Sequence, residues 1–198
     1  IDPVERTWLR DAAESRRFKL GDNADELHAL LDRLTEVEVF EQFLHRVFPG
    51  KHRFSIEGLD VMVPVLDEII CGAGNDGIGN VLIGMAHRGR LNVLAHVLQK
   101  PYAQILAEFK DPVGGRRSFV DDLGWTGDVK YHKGAFRAGE GQEPCDVSIN
   151  MPANPSHLEA INPILVGMAR AAGEFTQAPG APQFDPAVTL PILVHGDA

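Results

Sequence analysis

Met85-Ala86-His87-Arg88-Gly89-Arg90-Leu91-Asn92 sits between two apolar stretches. Val81-Leu82-Ile83-Gly84 precedes it and an amphipathic run from Val93 to Leu98 follows. That order predicts a strand over 80–85, a sharp turn, and a helix over 90–98. One histidine, two arginines and a glycine fall where the strand stops and the helix begins. In an open α/β sheet, ligands bind outside the carboxyl ends of the strands. A helix N-terminus at that place offers free N–H groups and partial positive charge to an anion. The stretch therefore predicts a site for an acidic ligand.

The 198 residues suffice for a domain with a core of its own. Hydrophobic residues make up 44% and charged residues 24%, as in an ordinary globular protein. Nineteen basic residues face 28 acidic ones, a net charge of −9, which argues against nucleic acid or an anionic membrane as partner. No apolar run approaches the roughly 18 residues of a membrane span, and no signal-like or other targeting segment stands out. Cys71 and Cys145 have neither CxxC nor metal-ligand spacing, so two free thiols in a reducing compartment are expected. The chain begins at Ile1 and ends where a strand has just reached its functional end, which reads as part of a longer protein.

Outward from the central stretch, the elements follow from spacing and punctuation. Residues 1–20 are polar, with Trp8 and Leu9 as apolar anchors. Asn23 and Glu26 have capping-box spacing, and Thr35 with Glu38 offers a second start signal. Residues 23–48 therefore form two short helices or one bent one, stopped by Pro49-Gly50. The apolar segment 59–71 predicts a buried helix ended by Gly72 and Gly74. Pro101 suits the first turn of a helix ending near Phe109. Residues 110–128 are Gly-rich and charged, a long surface loop. Order resumes over 129–134 as an edge strand, a hairpin turn covers 137–145, and 147–151 form a further strand. Ser156 and Glu159 are spaced as a capping box, so Ser156 should open a helical turn. Asn162 should cap a helix from Pro163 to about Ala172. A loop over 178–188 leads to a last strand that reaches Asp197. Strands and helices alternate from residue 80, which favours a mainly parallel α/β sheet flanked by helices.

Four polar clusters fall at the expected strand ends or helix starts: His87-Arg88, His132, Ser156-His157 and His195-Gly196-Asp197. Guanidinium clamps a carboxylate bidentately, and imidazole exchanges a proton near neutral pH, so the set suits a di-acid. Gly-Asp directly after an apolar strand can hold a divalent cation on its carboxylate. No GxGxxG, no GxxxxGK[ST] and no GxSxG occurs, which argues against a dinucleotide fold, a P-loop and a nucleophile elbow.

Five segments carry a resemblance: Arg53-Phe54-Ser55-Ile56-Glu57-Gly58, Met85 to Asn92, Gly127-Asp128-Val129-Lys130-Tyr131-His132, Asn154-Pro155-Ser156-His157-Leu158-Glu159, and His195-Gly196-Asp197-Ala198. In this order they resemble the thiamine-diphosphate-dependent decarboxylating component of the 2-oxoglutarate dehydrogenase complex. The resemblance covers most of the chain from about Thr35, and residues 1–20 are similar to the family's leading segment. It implies a thiamine-diphosphate-binding α/β fold, cut at its C-terminal end. Residues 1–57 would be a helical leading segment and 58–198 the front part of the catalytic domain.

The resemblance also implies roles. His87 matches the active-site histidine near the reacting carbon, and His132 a second, substrate-binding histidine. Arg88, Ser156 and Leu158 match cofactor contacts. Asp197 matches the first acidic Mg²⁺ ligand under the diphosphate, and Ala198 its neighbour there. The cofactors would be thiamine diphosphate and Mg²⁺, and the substrate 2-oxoglutarate. The partner would be a lipoyl-bearing dihydrolipoyl succinyltransferase of the tricarboxylic acid cycle, with the component itself a homodimer. The location would be the bacterial cytoplasm or the mitochondrial matrix, with neither nucleic acid nor membrane as partner. The family's later Mg²⁺ ligand and its activating glutamate lie beyond Ala198, so the 198-residue chain by itself should be inactive. Two other readings fit the same residues: a relative acting on 2-oxoadipate, one methylene longer, and a non-catalytic phosphate-ligand-binding module of the same fold.

Overall fold

The computed structural model describes residues 2–19, 23–109, 132–139, 145–155, 157–177 and 179–196. The chain divides into two compact units, Ile1–Asp32 and Arg33–Ala198. The first unit contains helix α1, Pro3–Glu14, which opens at Asp2. There the Asp2 carboxylate accepts from the Val4 N–H at 2.9 Å and satisfies one of the orphan donors of a helix start. Trp8 packs near Phe18, with ring centroids 6.0 Å apart.

Helix α2, Ala24–Val47, runs across the division. Asn23 caps it, accepting from the Asp25 N–H and donating to Glu26, as the spacing indicated. The helix continues through Thr35 without a break, so one element replaces the possible pair. Helix α3, Met62–Asn75, continues past Gly72 to Asn75, with Gly77 at φ +86° just beyond it. A glycine inside a helix costs only about 1 kcal/mol, and the buried apolar face of Val63, Leu66 and Ile70 outweighs it.

Strand β1 spans Asn80–Met85 and is the centre of the sheet. After it come a short helix α4, Arg90–Asn92, a π-helical turn over Val93–Val97, and α5, Tyr102–Ala107. The helix expected over 90–98 is therefore present but widened by one residue per turn in its second half. The π turn leaves carbonyls without partners on its own ladder. Arginines from elsewhere meet two of them: Arg33 donates to His96 O at 2.7 Å and Arg137 to Val97 O at 2.9 Å.

The remaining elements are β2, Ala135–Arg137; β3, Ser148–Met151; α6, Asn162–Ala172; the paired short strands β4, Glu174–Phe175, and β5, Gln183–Phe184; and β6, Thr189–Val194. The sheet has the order β2-β3-β1-β6. Strands β3 and β6 run parallel to β1, and β2 lies antiparallel on the outer edge of β3. This is the mainly parallel α/β sheet expected, with one antiparallel edge. The edge strand begins at Ala135, later than expected, and His132 to Gly134 are not in a strand. Residues 110–131 and 140–144, where a loop, the start of the edge strand and most of a hairpin turn were expected, lie outside the described residues.

Both faces of β1 are covered, which explains its almost unbroken apolar sequence. Val81, Ile83 and Met85 join Val37, Phe40, Leu66, Ile70 and Leu94 in one buried cluster. On the other face α6 comes close: a Cβ at Gly84 would meet Leu165 Cδ2 and Leu193 Cδ2, each at 3.1 Å. Helix α6 starts at Asn162 with Ile161 as its cap residue, one residue earlier than Asn162 capping would give, and carries its proline in the first turn. Among the described residues no helix is long and apolar enough to cross a membrane.

One expectation is overturned. Cys71 and Cys145 are not free thiols; they form a disulfide across 74 residues of sequence, joining α3 to the approach of β3. Neither spacing motif nor neighbouring residues announced it, because the pairing depends on α3 lying beside the segment that leads into β3.

Candidate active site

The topology brings the polar clusters to one edge. Strands β1, β3 and β6 are parallel, so their carboxyl ends lie together. His87 follows β1, Asn154 follows β3, and His195 follows β6. Strand β2 is antiparallel, and Ala135 pairs with Met151. The residues that lead into β2, His132 among them, thus reach the same edge. Their backbones are tied as well: the Asn154 N–H donates to His132 O at 3.0 Å.

At this edge the His87 and His132 Nε2 atoms are 3.1 Å apart. A contact of that length needs one nitrogen carrying a hydrogen and the other a lone pair. One ring therefore donates an N–H to the other. The Phe54 ring stacks on His87, with centroids 4.8 Å apart and planes at 29°. Phe54 itself has φ +45°, unusual for a bulky side chain, and its carbonyl accepts from the Gly89 N–H at 2.9 Å. The turn after β1 and the 54–56 segment are thus stitched backbone to backbone.

A buried carboxylate holds the same segment from below. Glu41, on α2, accepts from the Ile56 N–H at 3.2 Å and from Asn92 Nδ2 at 2.8 Å. The Arg53 guanidinium lies 3.4 Å from its other oxygen. Gly89 is in the left-handed region at φ +77°, and a Cβ there would meet Met62 Cε at 2.8 Å and Ile56 Cδ1 at 3.1 Å. Glycine is required twice over at this turn, by conformation and by space. Nearby in the core, burial and then the Arg33 charge push the His96 imidazole below the usual histidine range.

An open cavity of about 620 Å³ lies along this edge, within the range of cofactor and ligand pockets. Its walls include Ile56, Met62 and Val194 on the apolar side, with His87, Arg88 and His132 among the polar groups. Arg88 donates one N–H to Glu57 O at 3.1 Å. Leu158 also lines the cavity and is exposed. His195 lines it as well, 3.3 Å from Asn162 Nδ2 and 3.7 Å from a Glu159 oxygen. An apolar wall beside an arginine and two imidazoles fits a ligand with a flat ring and an anionic end.

Of the residues singled out from sequence, His87, Arg88, His132 and Leu158 come together around the cavity. Ser156, Asp197 and Ala198 lie outside the described residues. The turn expected to open at Ser156 therefore lies partly outside the described residues; after it, Glu159 has φ +65° and its side chain lies 3.7 Å from His195. Among the described residues no three His, Cys, Asp or Glu side chains are grouped to hold a metal. Sequence reasoning gave no site role to Glu41, placed Phe54 only within a resembling segment, and marked Asn162 only as a helix cap. Glu41 carries no local signal, because an acid on a helix flank looks solvated until the loop that buries it is placed.

No family model matches the chain. The curated relatives do. The chain is 54% identical over 202 aligned residues to the 2-oxoglutarate dehydrogenase E1 component of Bacillus subtilis, with 100% of this chain and 21% of that protein covered. It is 51% identical to the component of the same name from Bacillus pumilus, again with 100% and 21% covered. The Bacillus mycoides counterpart is 50% identical over 197 residues, with 100% and 20% covered. The chain spans about a fifth of the length of the curated relatives it matches. Over its whole length, and at about half identity, the chain is thus similar to a segment of the 2-oxoglutarate dehydrogenase E1 component, the family to which its five motifs pointed.

Proposed function

We propose that this chain supplies the histidine side of the active site of a 2-oxoglutarate dehydrogenase. The reaction is the oxidative decarboxylation of 2-oxoglutarate, with the succinyl group passed to a lipoyl group on a partner succinyltransferase. The observation that carries the reading is the His87–His132 contact of 3.1 Å at the carboxyl edge of a mainly parallel sheet, in a chain similar throughout to components of that name.

The residues fit the cofactor of that chemistry. The cavity has an apolar wall for a heterocycle and an arginine, Arg88, for a diphosphate. Leu158 would contact the ring system, and Ser156, Asp197 and Ala198 would complete the cofactor contacts, with Asp197 holding Mg²⁺. When bound, thiamine diphosphate supplies the carbanion that adds to the 2-oxo carbon and the electron sink for the pair released with CO₂. The protein side binds and orients. His87 would give a proton to the 2-oxo oxygen as negative charge develops on it, and His132 would return a proton to His87 across the Nε2 contact. Phe54 shields one face of the His87 ring from water. The thiamine-diphosphate fold, the homodimer and the lipoyl partner belong to the same proposal.

The test uses the full-length protein. His87→Ala is expected to lower 2-oxoglutarate decarboxylation, read with an artificial electron acceptor, by about 10²–10⁴-fold. Thiamine diphosphate affinity, read by calorimetry with Mg²⁺ present, should stay within about threefold. Equal loss of rate and affinity would move His87 from proton transfer to cofactor binding. A higher kcat/KM for 2-oxoadipate than for 2-oxoglutarate would assign the longer substrate, a difference of one methylene worth about 1–3 kcal/mol.

A further inference from the structure

Arg90 is the largest side chain that is fully buried, at 0% exposure, and none of the ion pairs among the described residues gives it a carboxylate. It is also the first residue of α4, where the helix dipole disfavours a cation. Burial pushes its pKa down to about 10, so it stays charged at neutral pH. A buried cation without an anion is costly, and the compensation here is three backbone carbonyls. Nη1 donates to Met85 O at 2.8 Å, and Nη2 to Lys133 O at 2.8 Å and Pro152 O at 3.0 Å.

Those carbonyls belong to three different segments. Met85 ends β1, two residues before His87. Lys133 follows His132. Pro152 follows β3, and two residues on, the Asn154 N–H holds His132 O. A planar guanidinium fixes the angles between its donors, so it sets the spacing of the backbones it bridges. The two histidines hang from two of those backbones, and their Nε2 atoms meet at 3.1 Å.

We propose that Arg90 is a positioning residue that sets the His87–His132 contact by clamping the end of β1, the approach to β2 and the exit of β3. The proposal rests on the reading of that pair as reacting groups. Nη2 alone meets the Lys133 and Pro152 carbonyls, so a lysine nitrogen could keep that pair; it would lose the second nitrogen that ties them to Met85 at the end of β1.

The test is a double-mutant cycle in full-length protein, loaded with thiamine diphosphate and Mg²⁺, using Arg90→Lys and His132→Ala. Arg90→Lys should lower kcat about 100-fold, as a displacement near 1 Å can, with KM for 2-oxoglutarate within about threefold. In the His132→Ala background the same change should cost less than about threefold, because the contact it sets is already gone. Equal losses in both backgrounds would overturn the proposal and leave Arg90 a purely structural group. Crystals of Arg90→Lys supply a readout independent of activity: the Nε2–Nε2 separation should open beyond hydrogen-bond distance, and an unchanged 3.1 Å contact overturns the proposal. If His87→Ala and His132→Ala both keep the wild-type rate, the reading of the pair fails, and the crystal distance still decides the clamp. Arg90→Gln guards against a variant that does not fold. Loss of folded protein in both variants would make the guanidinium a requirement of the fold and overturn a specific positioning role.

Discussion

The two walls of the cavity are built on opposite principles. The wall with His87 and His132 is held by buried groups: Arg90 on three carbonyls, Glu41 on Ile56 and Asn92, and Gly89 packed on Ile56 and Met62. The wall with Glu159, Asn162 and His195 is held by contacts of 3.3 and 3.7 Å between side chains at the surface. Buried hydrogen bonds in low dielectric fix geometry and are expensive to break. Exposed pairs are screened and exchange with water. The first wall is therefore preorganised, and the second can adapt to what enters. The pair proposed to react sits on the first kind of surface, where catalysis would gain most from groups that need not move.

The largest effect expected from the comparison comes from Glu41→Ala. It leaves the buried Ile56 N–H and Asn92 amide without their acceptor and Arg53 with only the exposed Glu57 carboxylate at 4.0 Å. Losing one partner of a buried charged network costs about 3 kcal/mol or more. A fall in the denaturation midpoint should be accompanied by a fall in decarboxylation, because the 54–56 segment carries the ring stacked on His87. A variant as stable as the wild type would show that the first wall is not held from α2.

Much of this arrangement was legible in the sequence, and the reasons are local. Strand β1 and its turn were readable because Val81 to Gly84 is apolar throughout and Gly89 interrupts a charged run. The shared edge was readable because parallel strands put their exits together. What could not be read was long-range. The disulfide, the Glu41 network and the Arg90 clamp each join residues far apart in sequence; Glu41 and Asn92 are 51 positions apart. The mismatch at Arg90, a cation on the first turn of a helix, was the one sequence signal of a hidden partner set.

Gly89→Ala sharpens the comparison at intermediate size. A left-handed alanine costs roughly 1–2 kcal/mol by itself. The added Cβ would also lie 3.1 Å from Ile56, which is fully buried and has no room to withdraw. A loss of about 2 kcal/mol in urea unfolding is expected, with the Gly89 to Phe54 hydrogen bond the first to strain. Because Met62 Cε is the end of a flexible side chain, Met62→Ala in the same protein should return part of the loss. If the double variant is no more stable than Gly89→Ala, the cost is conformational and the packing of this turn contributes little.

The second wall gives the smallest effect and the sharpest contrast. His195 is more than a third exposed, and its neighbour Glu159 is more exposed still. A pair in that setting contributes at most about 1 kcal/mol, and less at high salt. His195→Ala should therefore leave the unfolding midpoint almost unchanged while the cavity keeps its shape. Its consequence should be felt in ligand binding, because His195 follows β6 directly and lines the cavity. A rise in KM or in cofactor dissociation constant, with stability intact, is the expected pattern. A loss of stability as large as that of Glu41→Ala would mean that both walls are equally rigid. The distinction between a fixed reacting side and an adaptable binding side would then have no physical basis in this molecule.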